Sequence, residues 1–241
     1  EAASRAGIVV SWTPEQNTNS VAELTIGLLI CLARMIPDAD AHTKAGGWDR
    51  WKYMGVELLG KTLGIVGLGR IGSLTAAKAR ALGMEIVAYD PYVSGDSLRA
   101  MEVRARMTSL EEVLAVSDFV SLHVPENDET RDMFGAEQFA LMKPTAYFLN
   151  AARGGVVQED ALLRVLQQKQ IAGAALEVRK QEPAPLSEFN QLTNVILVPH
   201  IGAQTHEAQR RVVTTVCRDV EAILQGGEAK YFANFSKPKG R

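Results

Sequence analysis

Three side chains that could move a proton and hold a carboxylate, Arg153, Glu182 and His200, each follow a separate apolar run of the chain. Histidine suits a general base because its pKa lies near neutral pH. A carboxylate beside it would favour the imidazolium and orient the ring, and a guanidinium can bind a substrate carboxylate through two hydrogen bonds. The trio predicts oxidation of a 2-hydroxy acid. In that reaction His200 takes the proton, and Arg153 holds the substrate and polarises the reacting oxygen.

Each of these residues also has an ordinary structural use. A histidine after a strand is more often a surface or hydrogen-bonded structural residue, an arginine beside two glycines can neutralise a helix C-terminus, and a glutamate before proline is a common turn residue. Together they predict a site, because the carboxyl ends of parallel strands share the edge at which open α/β sheets bind ligands.

The remaining histidines are weaker candidates. His123 is a second possible base, and we expect it instead to line the cofactor cleft beside Val124. His42 and His206 are expected to be solvated helix residues. No metal site is predicted, because the four His and two Cys residues show no metal-ligand spacing.

Residues 67–72, Gly-Leu-Gly-Arg-Ile-Gly, form a G-x-G-x-x-G pattern between an apolar run and an amphipathic stretch. Gly67 would allow a tight turn, Gly69 would let a pyrophosphate approach the backbone, and Gly72 would let the helix pack closely on the strand. The helix N-terminus would then face the anion. By itself the pattern is weak evidence, since a glycine-rich turn without a ligand would look the same.

Asp90 strengthens the dinucleotide interpretation. It ends the next apolar run, 18 residues after Gly72, where a carboxylate can accept hydrogen bonds from both hydroxyls of an adenosine ribose and would repel a 2′-phosphate. This favours NAD over NADP. The alternatives are a capped turn at Asp90 and Pro91, and an S-adenosylmethionine site, whose glycine-rich loops lack this full spacing followed by an acid.

These residues need a scaffold, and the alternation of short apolar runs with longer helical stretches predicts an α/β fold of the Rossmann type with a doubly wound parallel sheet. The predicted strands are residues 63–66, 85–89, 119–124, 146–149, 173–177 and 195–198. The Ser-x-x-Glu spacing predicts helix starts at Ser20 and Ser109. In the crossover 70–82, a face made by Ile71, Leu74, residues 77 or 78 and residues 81 or 82 is expected to lie on the sheet.

Composition narrows the class of protein. The chain has 241 residues, of which 46% are hydrophobic and 22% charged, and its formal net charge is -2. This mix excludes a disordered chain and argues against a nucleic-acid groove or a membrane surface. Cys31 and Cys217 lie in apolar helical patterns, where we expect them to pack as small hydrophobes in a reducing compartment, the cytoplasm. The chain opens on Glu1, and we expect it to be a piece of a longer protein.

Several short sequence segments, taken in their order along the chain, resemble the D-isomer-specific 2-hydroxyacid dehydrogenase family, and together they cover nearly the whole chain. They are residues 21–24, 31–34, 53–58, 60–65, 67–72, 89–91, 152–155 and 199–203, with Thr205 and residues 207–209 following. The resemblance implies NAD as the cofactor, a 2-hydroxy or 2-keto acid as the substrate, and Arg153, Glu182 and His200 as the catalytic residues. It is strongest for members that oxidise 3-phosphoglycerate to 3-phosphohydroxypyruvate in serine biosynthesis. The implied dinucleotide contacts are Arg70, Ile71, Asp90, Val124, Ala151, Ala152, Glu177, His200, Gly202 and Ala203, beside Arg153 and the three glycines of the loop.

The resemblance also implies a domain plan. Residues 1–13 would be the remnant and last strand of a substrate domain largely absent from this chain, with a strand over residues 6–10. Residues 14–208 would be the NAD-binding domain, and residues 209–241 a helix and tail returning toward the substrate domain. Residues 21–55, with Trp48, Trp51 and Tyr53, would be an arm that joins two subunits into a homodimer or a larger homo-oligomer. We expect this chain alone to bind NAD but to turn over poorly.

Three positions depart from the family's pattern: Glu177 replaces the usual Asp, Arg179 replaces a Phe or Tyr, and Trp12 replaces a common Asn. The longer Glu177 could shift a contact to the nicotinamide amide. Two other functions stay open from the sequence. One is a transcriptional co-repressor that senses the dinucleotide, and the other is a different member of the family, acting on glyoxylate, hydroxypyruvate or a lactate-like acid.

Overall fold

Short runs of buried apolar residues form one seven-stranded sheet in the computed structural model, which describes residues 1–228, 230, 231, 233 and 234. The strands are β1 Thr62–Val66, β2 Glu85–Tyr89, β3 Arg106–Met107, β4 Phe119–Leu122, β5 Tyr147–Asn150, β6 Gly173–Leu176 and β7 Val195–Leu197. All neighbours pair in parallel, in the order β3-β2-β1-β4-β5-β6-β7. The predicted doubly wound α/β fold is confirmed. The sequence analysis missed β3, because two residues are too few to show a periodicity.

The sheet register brings the sequence motifs to one edge. Val66 at the end of β1 pairs with Tyr89 on one side and with Leu122 on the other. Asn150 at the end of β5 pairs with Leu122 and with Leu176. The residues that follow these strands therefore lie side by side. The strand order changes direction between β1 and β4: β2 and β3 are added on one side of β1, and β4 to β7 on the other. Open α/β sheets form their ligand crevice at such a point.

Nine α-helices and three short 3₁₀ helices accompany the strands among the described residues. The α-helices are α1 Ala2–Arg5, α2 Thr18–Arg34, α3 Ile36–Lys44, α4 Arg70–Ala81, α5 Leu98–Glu102, α6 Leu110–Val116, α7 Ala136–Ala140, α8 Glu159–Gln167 and α9 His206–Leu224. The 3₁₀ helices are Arg50–Tyr53, Gly154–Val156 and Glu188–Gln191. One core cluster contains Phe134, Phe139 and Phe148, and a second contains Leu29, Leu63 and Ala76.

The two predicted helix starts have different outcomes. Ser109 caps α6 as predicted, because its hydroxyl accepts a hydrogen bond from the Glu112 N–H at 3.2 Å. The prediction at Ser20 is wrong, since α2 begins two residues earlier, at Thr18. Ser20 is buried inside the helix, and its hydroxyl lies 2.9 Å from the Thr205 hydroxyl.

The predicted buried face of α4 is also wrong. The residues that the helix buries are Gly72, Thr75, Ala76 and Ala79, whereas Ala77 is exposed and Ile71 and Leu74 are only half-buried. The small side chains allow α4 to lie close to the sheet. The helix therefore buries the face that packs most closely on the strand, not the face with the largest apolar side chains.

The chain divides into two compact units, residues Glu1–Ser20 with Ala203–Arg241, and residues Val21–Gly202. The sheet belongs to the second unit. The first contains α1 and α9, and α9 confirms the helix predicted in the C-terminal segment, although it begins three residues before residue 209. The predicted strand at residues 6–10 is wrong. In its place α1 is followed by irregular backbone, where the Val10 N–H donates to the Asn234 side-chain oxygen and the Val10 carbonyl accepts from the Ala233 N–H. The predicted tail at residues 235–241 lies outside the described residues.

The two cysteines are unpaired and lie on helices. Cys31 on α2 is half-buried, whereas Cys217 on α9 is exposed, so the packing prediction fails for Cys217. Among the described helices, none alone has the length and apolar composition to cross a membrane. Only α2 and α3 taken together reach that composition, across a bend of 64°.

Candidate functional site

The loop at residues 67–72, which we call the phosphate loop, joins β1 to α4 with the geometry that its glycines predict. Gly67 has φ +94°, and a Cβ there would lie 2.9 Å from the backbone carbon and oxygen of His123 and from a methyl of Val124. A Cβ on Gly72 would lie 2.1 Å from the carbonyl oxygen of Gly67. Both positions exclude any side chain, because real Cβ atoms do not approach other atoms so closely.

The middle glycine has open space instead. A Cβ on Gly69 would meet no atom within 4 Å, and Gly69 is the N-cap of α4 without a side chain to satisfy the first N–H groups of the helix. Those N–H groups and the positive end of the helix dipole suit a pyrophosphate. Arg70 is exposed and Ile71 half-buried at the start of the helix. The loop therefore fits the diphosphate of a dinucleotide.

Asp90 lies directly beside this loop. Its two carboxylate oxygens accept hydrogen bonds from the Leu68 N–H and the Tyr92 N–H, each at 2.9 Å. The turn at Asp90 that the sequence suggested as an alternative is thus formed, and the same carboxylate also faces the phosphate loop. The turn is compatible with the predicted ribose contact, because a carboxylate has lone pairs enough for backbone and ribose donors.

The catalytic corner, by which we mean Arg153, Glu182 and His200, lies at the same sheet edge beyond β5, β6 and β7. His200 Nδ1 is 2.7 Å from Glu182 Oε2, and the two side chains are 46% and 39% exposed. His200 has φ +53°, a left-handed conformation that costs energy in residues other than glycine. The structure thus pairs the predicted base with the predicted carboxylate and leaves Nε2 as the ring nitrogen for the proton of a substrate.

Arg153 lies near this pair. Partial burial raises the pKa of Glu182, but the hydrogen bonds from His200 and from the Arg179 N–H outweigh it, together with the charges of His200 and Arg153. The pKa of Glu182 is therefore held below its ordinary value, and the side chain is a carboxylate at neutral pH. A carboxylate of this kind orients the imidazole and stabilises its protonated form.

The turn that carries Arg153 is braced by Asn150. Its side-chain amide donates to the Arg153 carbonyl at 3.0 Å, and its side-chain oxygen accepts from the Ala152 N–H at 3.1 Å. Ala151 and Ala152 are buried, whereas the Arg153 side chain is exposed and donates to the Ala152 carbonyl at 2.6 Å. Access for a ligand beside these small residues stays a prediction.

Glu177 is buried at the end of β6, where one of its carboxylate oxygens accepts the Gly202 N–H at 2.5 Å. This contact ties the loop after β7 to the strand that precedes the catalytic corner. Val124 is half-buried beside Gly67. Ala203 is half-buried and belongs to the other compact unit of the chain.

His123 differs from His200 in its surroundings. Its Nε2 is 3.0 Å from the Ser121 hydroxyl, and its buried Nδ1 has no hydrogen-bond partner within the described part of the chain. Loss of solvation lowers the pKa of His123 to about 4, so the ring is neutral at physiological pH. The backbone of His123 lies against Gly67, and the position of its ring beside a bound cofactor stays a prediction. His206 is exposed on α9, and His42 is half-buried on α3 against Tyr53.

Two cavities lie at opposite ends of the strands. One of about 660 Å³ adjoins the catalytic corner and is lined by Glu177, Arg179, Glu182, His200 and several prolines. The other, of about 710 Å³, is lined by residues of α2, α3 and the beginnings of β5 and β7, and contains none of the predicted site residues. The predicted residues Glu182 and His200 therefore line the first cavity, whereas the titratable side chains of the second, among them Cys31, Asp38 and His42, belong to a different end of the sheet.

The sequence analysis missed the residues that support the corner. The sequence predicted neither the role of Asn150 nor the contact of Arg179 with Glu159. An Asn followed three residues later by Arg and two glycines is a signal that could have been used, because Asn side chains often hydrogen-bond nearby backbone in turns. No local signal identifies Glu159 as a partner.

Comparison with known families matches residues 26–202 to the model described as D-isomer specific 2-hydroxyacid dehydrogenase, NAD binding domain. Among curated proteins, the D-3-phosphoglycerate dehydrogenase of Synechocystis sp. is 43% identical over 233 residues, which are 97% of this chain and 42% of that protein. The enzyme of the same name from Rattus norvegicus is 48% identical over 211 residues, 88% of this chain and 39% of that protein. The chain thus spans about two fifths of the length of these relatives.

Solved structures show the same architecture. The crystal structure of D-lactate dehydrogenase with NAD+ from Lactobacillus jensenii superposes with a TM-score of 0.85 at 28% sequence identity, over 97% of this chain and 74% of that chain. The overlap includes both compact units. The likeness of fold agrees with the match of the family model.

Proposed function

The chain belongs to the D-isomer specific 2-hydroxyacid dehydrogenases and contains their NAD-binding domain, and from this premise we propose that it oxidises a 2-hydroxy acid at the corner formed by Arg153, Glu182 and His200. The observation that carries the proposal is the 2.7 Å contact between His200 and Glu182 at the sheet edge that also bears the phosphate loop. A base and a dinucleotide cradle at one edge are the two parts that hydride transfer requires.

Each residue of the corner has one role. Bound NAD would supply the acceptor for the hydride that leaves C2 of the substrate. His200 removes the hydroxyl proton through Nε2, so that the alcohol becomes a ketone, and the Glu182 carboxylate stabilises the resulting imidazolium. The Arg153 guanidinium binds the substrate carboxylate and polarises the reacting oxygen. In the reverse direction the same imidazolium returns the proton.

The coenzyme contacts follow the geometry of the loops. The N–H groups at the start of α4 would hold the pyrophosphate, with Gly67, Gly69, Arg70, Ile71 and Gly72 around it. Asp90 would accept the ribose hydroxyls and disfavour a 2′-phosphate. The remaining proposed contacts are Val124, Ala151, Ala152, Arg153, Glu177, His200, Gly202 and Ala203.

We propose 3-phosphoglycerate as the substrate of the intact protein, with 3-phosphohydroxypyruvate as the product, and a cytoplasmic location for this step of serine biosynthesis. Support comes from the relatives at 43% and 48% identity, both of which are named for this activity. A panel of 2-hydroxy and 2-keto acids, tested with NAD and NADP on the intact protein, decides the substrate. A preference for lactate or glyoxylate over the phosphorylated acid would contradict the proposal, and no turnover with any of them would favour a nucleotide-sensing protein.

We also propose that the arm at residues 21–55 joins two copies of the chain. Trp48 and Trp51 are 86% and 75% exposed, and Met54 close to them is 68% exposed. Side chains as large and apolar as these, clustered on one surface, mark protein interfaces in most soluble proteins. A second copy is the partner that the arm fits, because a two-fold interface brings each cluster against the same surface of the other chain.

Sedimentation of the Trp48→Ala, Trp51→Ala double variant tests this arm. We expect the dimer to weaken by at least 100-fold in Kd, since two large aromatic contacts would be lost from each side. Leu186→Ala, at a 91% exposed apolar residue outside the arm, is the matched control and should leave the dimer intact. A double variant that sediments as the wild type does would contradict the role of the arm.

A further inference from the structure

The loop that carries Glu182 is attached to the domain by side chains. Among the described residues, no backbone-to-backbone hydrogen bond involves residues 178–186. A surface loop of this kind would leave Glu182 free to take many positions, since fixing each residue of a loop costs conformational entropy. The 2.7 Å contact between Glu182 and His200 therefore needs an anchor.

Arg179 provides the anchor. Its guanidinium binds both oxygens of Glu159, from Nε at 2.9 Å and from Nη2 at 3.0 Å, and its side chain is only 10% exposed. The same group lies over the ring of Phe189, 4.5 Å from its centroid, and Nη2 reaches the Ser187 hydroxyl at 3.4 Å. A bidentate pair with a stacked face holds a guanidinium in one orientation, which a lysine cannot reproduce.

Glu159 holds the backbone of the loop as well as the side chain of Arg179. It lies in the first turn of α8, where a carboxylate is favoured by the helix dipole, and it accepts the Lys180 N–H at 2.7 Å. Partial burial raises the pKa of Glu159, but the bonds from Arg179 and the Lys180 N–H and the charges of both residues outweigh it, so the carboxylate stays ionised. On the other side, a Cβ on Gly154 would lie 2.0 Å from the Arg179 carbonyl oxygen. The backbone at Arg179 is thus enclosed by α8 and by the turn after Arg153.

The link to the catalytic pair is the N–H of Arg179 itself, which donates to Glu182 Oε1 at 3.2 Å. The other oxygen of the same carboxylate contacts His200. We propose that Arg179 is a positioning residue: its ion pair with Glu159 holds the peptide N–H that sets Glu182 at hydrogen-bonding distance from His200. This inference rests on the proposed function, which gives the His200–Glu182 pair its catalytic role. Its test needs neither coenzyme nor substrate.

Other groups around the pair do not replace this anchor. Lys180 ion-pairs with Asp132 at 3.5 Å on the exposed side of the loop, where such pairs contribute little. Glu177 receives the His200 N–H on its carbonyl at 3.0 Å, which holds His200 but not Glu182. Arg153 acts on Glu182 through charge alone. Among the described residues, the hydrogen-bond partners of Glu182 are His200 itself and Arg179, and of these two Arg179 is the one with an ion pair to α8.

The test follows the amide proton of residue 179 by NMR as the pH is changed. An amide that donates to a carboxylate shifts as that carboxylate titrates, so in the wild type the amide of residue 179 should follow the ionisation of Glu182. The assignment is checked with Glu182→Gln, which should abolish the shift. In Arg179→Met we expect the amplitude to fall by at least half, and in Arg179→Lys it should stay well below that of the wild type. Arg164→Met, an exposed arginine of the same helix as Glu159, should keep the full amplitude.

Simple loss of charge would give a different pattern. It would raise the titration midpoint of Glu182 in Arg179→Met but leave the amplitude at residue 179 unchanged, and that result would overturn the proposal. Full amplitude in Arg179→Lys would overturn it as well. If Arg179→Met is poorly folded, Arg179→Met with Glu159→Gln removes the buried unpaired charge, and the same loss of amplitude is expected. Failure of the chain to bind NADH would count against the proposed function alone, since none of these titrations depends on it.

Discussion

The phosphate loop and the catalytic corner lie along the same sheet edge, yet they are held in different ways. In the loop, positions are set by the backbone: two glycines fit where no Cβ could, and a third faces open space. In the corner, positions depend on side chains: His200 contacts the Glu182 carboxylate, and that carboxylate accepts a hydrogen bond from the Arg179 N–H. The phosphate loop therefore depends on close backbone packing, whereas the catalytic corner depends on several separate side-chain contacts.

Because of this difference, substitutions in the two regions should have different effects. A substitution in the loop should disturb packing and binding together, because the same glycines serve both. A substitution of His200 or Glu182 should remove chemistry and leave most of the dinucleotide affinity, because the proposed pyrophosphate and ribose contacts lie elsewhere and these two half-exposed side chains support no core. The predictions below test this separation.

The largest effect is expected for His200→Gln. Turnover of the intact protein should fall by roughly 10³-fold, as is usual when a general base is removed. The affinity for NADH should change by less than about threefold, because the neutral amide keeps the size of the side chain and the pyrophosphate contacts lie elsewhere. Stopped-flow assays and calorimetry measure the two quantities. A parallel loss of both would mean that the two regions are not separate.

In the phosphate loop, Gly72→Ala should destabilise the fold by about 2–3 kcal/mol, because its Cβ would approach the Gly67 carbonyl to 2.1 Å and α4 would have to move away from β1. Urea unfolding gives this free energy. NADH affinity should fall with it.

Gly69→Ala is the matched control for that change. Its Cβ meets no atom within 4 Å, so the free energy of unfolding should be within about 0.5 kcal/mol of the wild-type value. Its NADH affinity should nevertheless fall at least tenfold, since the methyl group occupies the space of the pyrophosphate. Equal affinities for Gly69→Ala and wild type would show that the coenzyme does not lie over this turn.

A smaller effect concerns His123 beneath the loop, whose pKa is lowered to about 4 from an ordinary value of 6.5. Above pH 6.5 the ring is neutral in both states of the chain and contributes no pH dependence. Between 6.5 and 4 the unfolded chain binds the proton and the folded chain does not, so stability falls as the pH falls. The loss reaches at most about 3 kcal/mol.

The measurement compares unfolding free energies at pH 7 and pH 4.5 for the wild type and for His123→Gln. The variant should lose less stability on acidification, since it has no imidazole to protonate. His206→Gln, at an exposed histidine, should behave as the wild type does. An unchanged acid sensitivity in His123→Gln would place the source of the effect elsewhere.

Much of the fold followed from local patterns. The apolar runs predicted six of the seven strands to within two residues at either end, because strands buried on both faces are nearly continuous runs of apolar residues. The errors came where local pattern competes with tertiary contacts. The buried face of α4 is the clearest case: small residues that fit against the strand were preferred over the larger Ile71 and Leu74.

The candidate site was likewise predictable from the sequence only in part. The phosphate loop could be predicted from the spacing of its glycines, because a strand-to-helix turn needs glycine at fixed positions. Asp90 could be placed because it follows the next strand. The placement of Arg153, Glu182 and His200 at one edge needed only the order of parallel strands. Their assignment as catalytic residues remains a prediction for the variants above to test.

What the sequence determined by itself was the order of strands and helices and the shape of the nucleotide turn, since both depend on neighbours within a few residues. Only the tertiary structure decided what holds Glu182 against His200. Arg179 and Glu159 are 20 residues apart, and they meet because α8 packs beside the loop that follows β6. A contact of that kind depends on where whole elements lie, and no spacing within the chain encodes it.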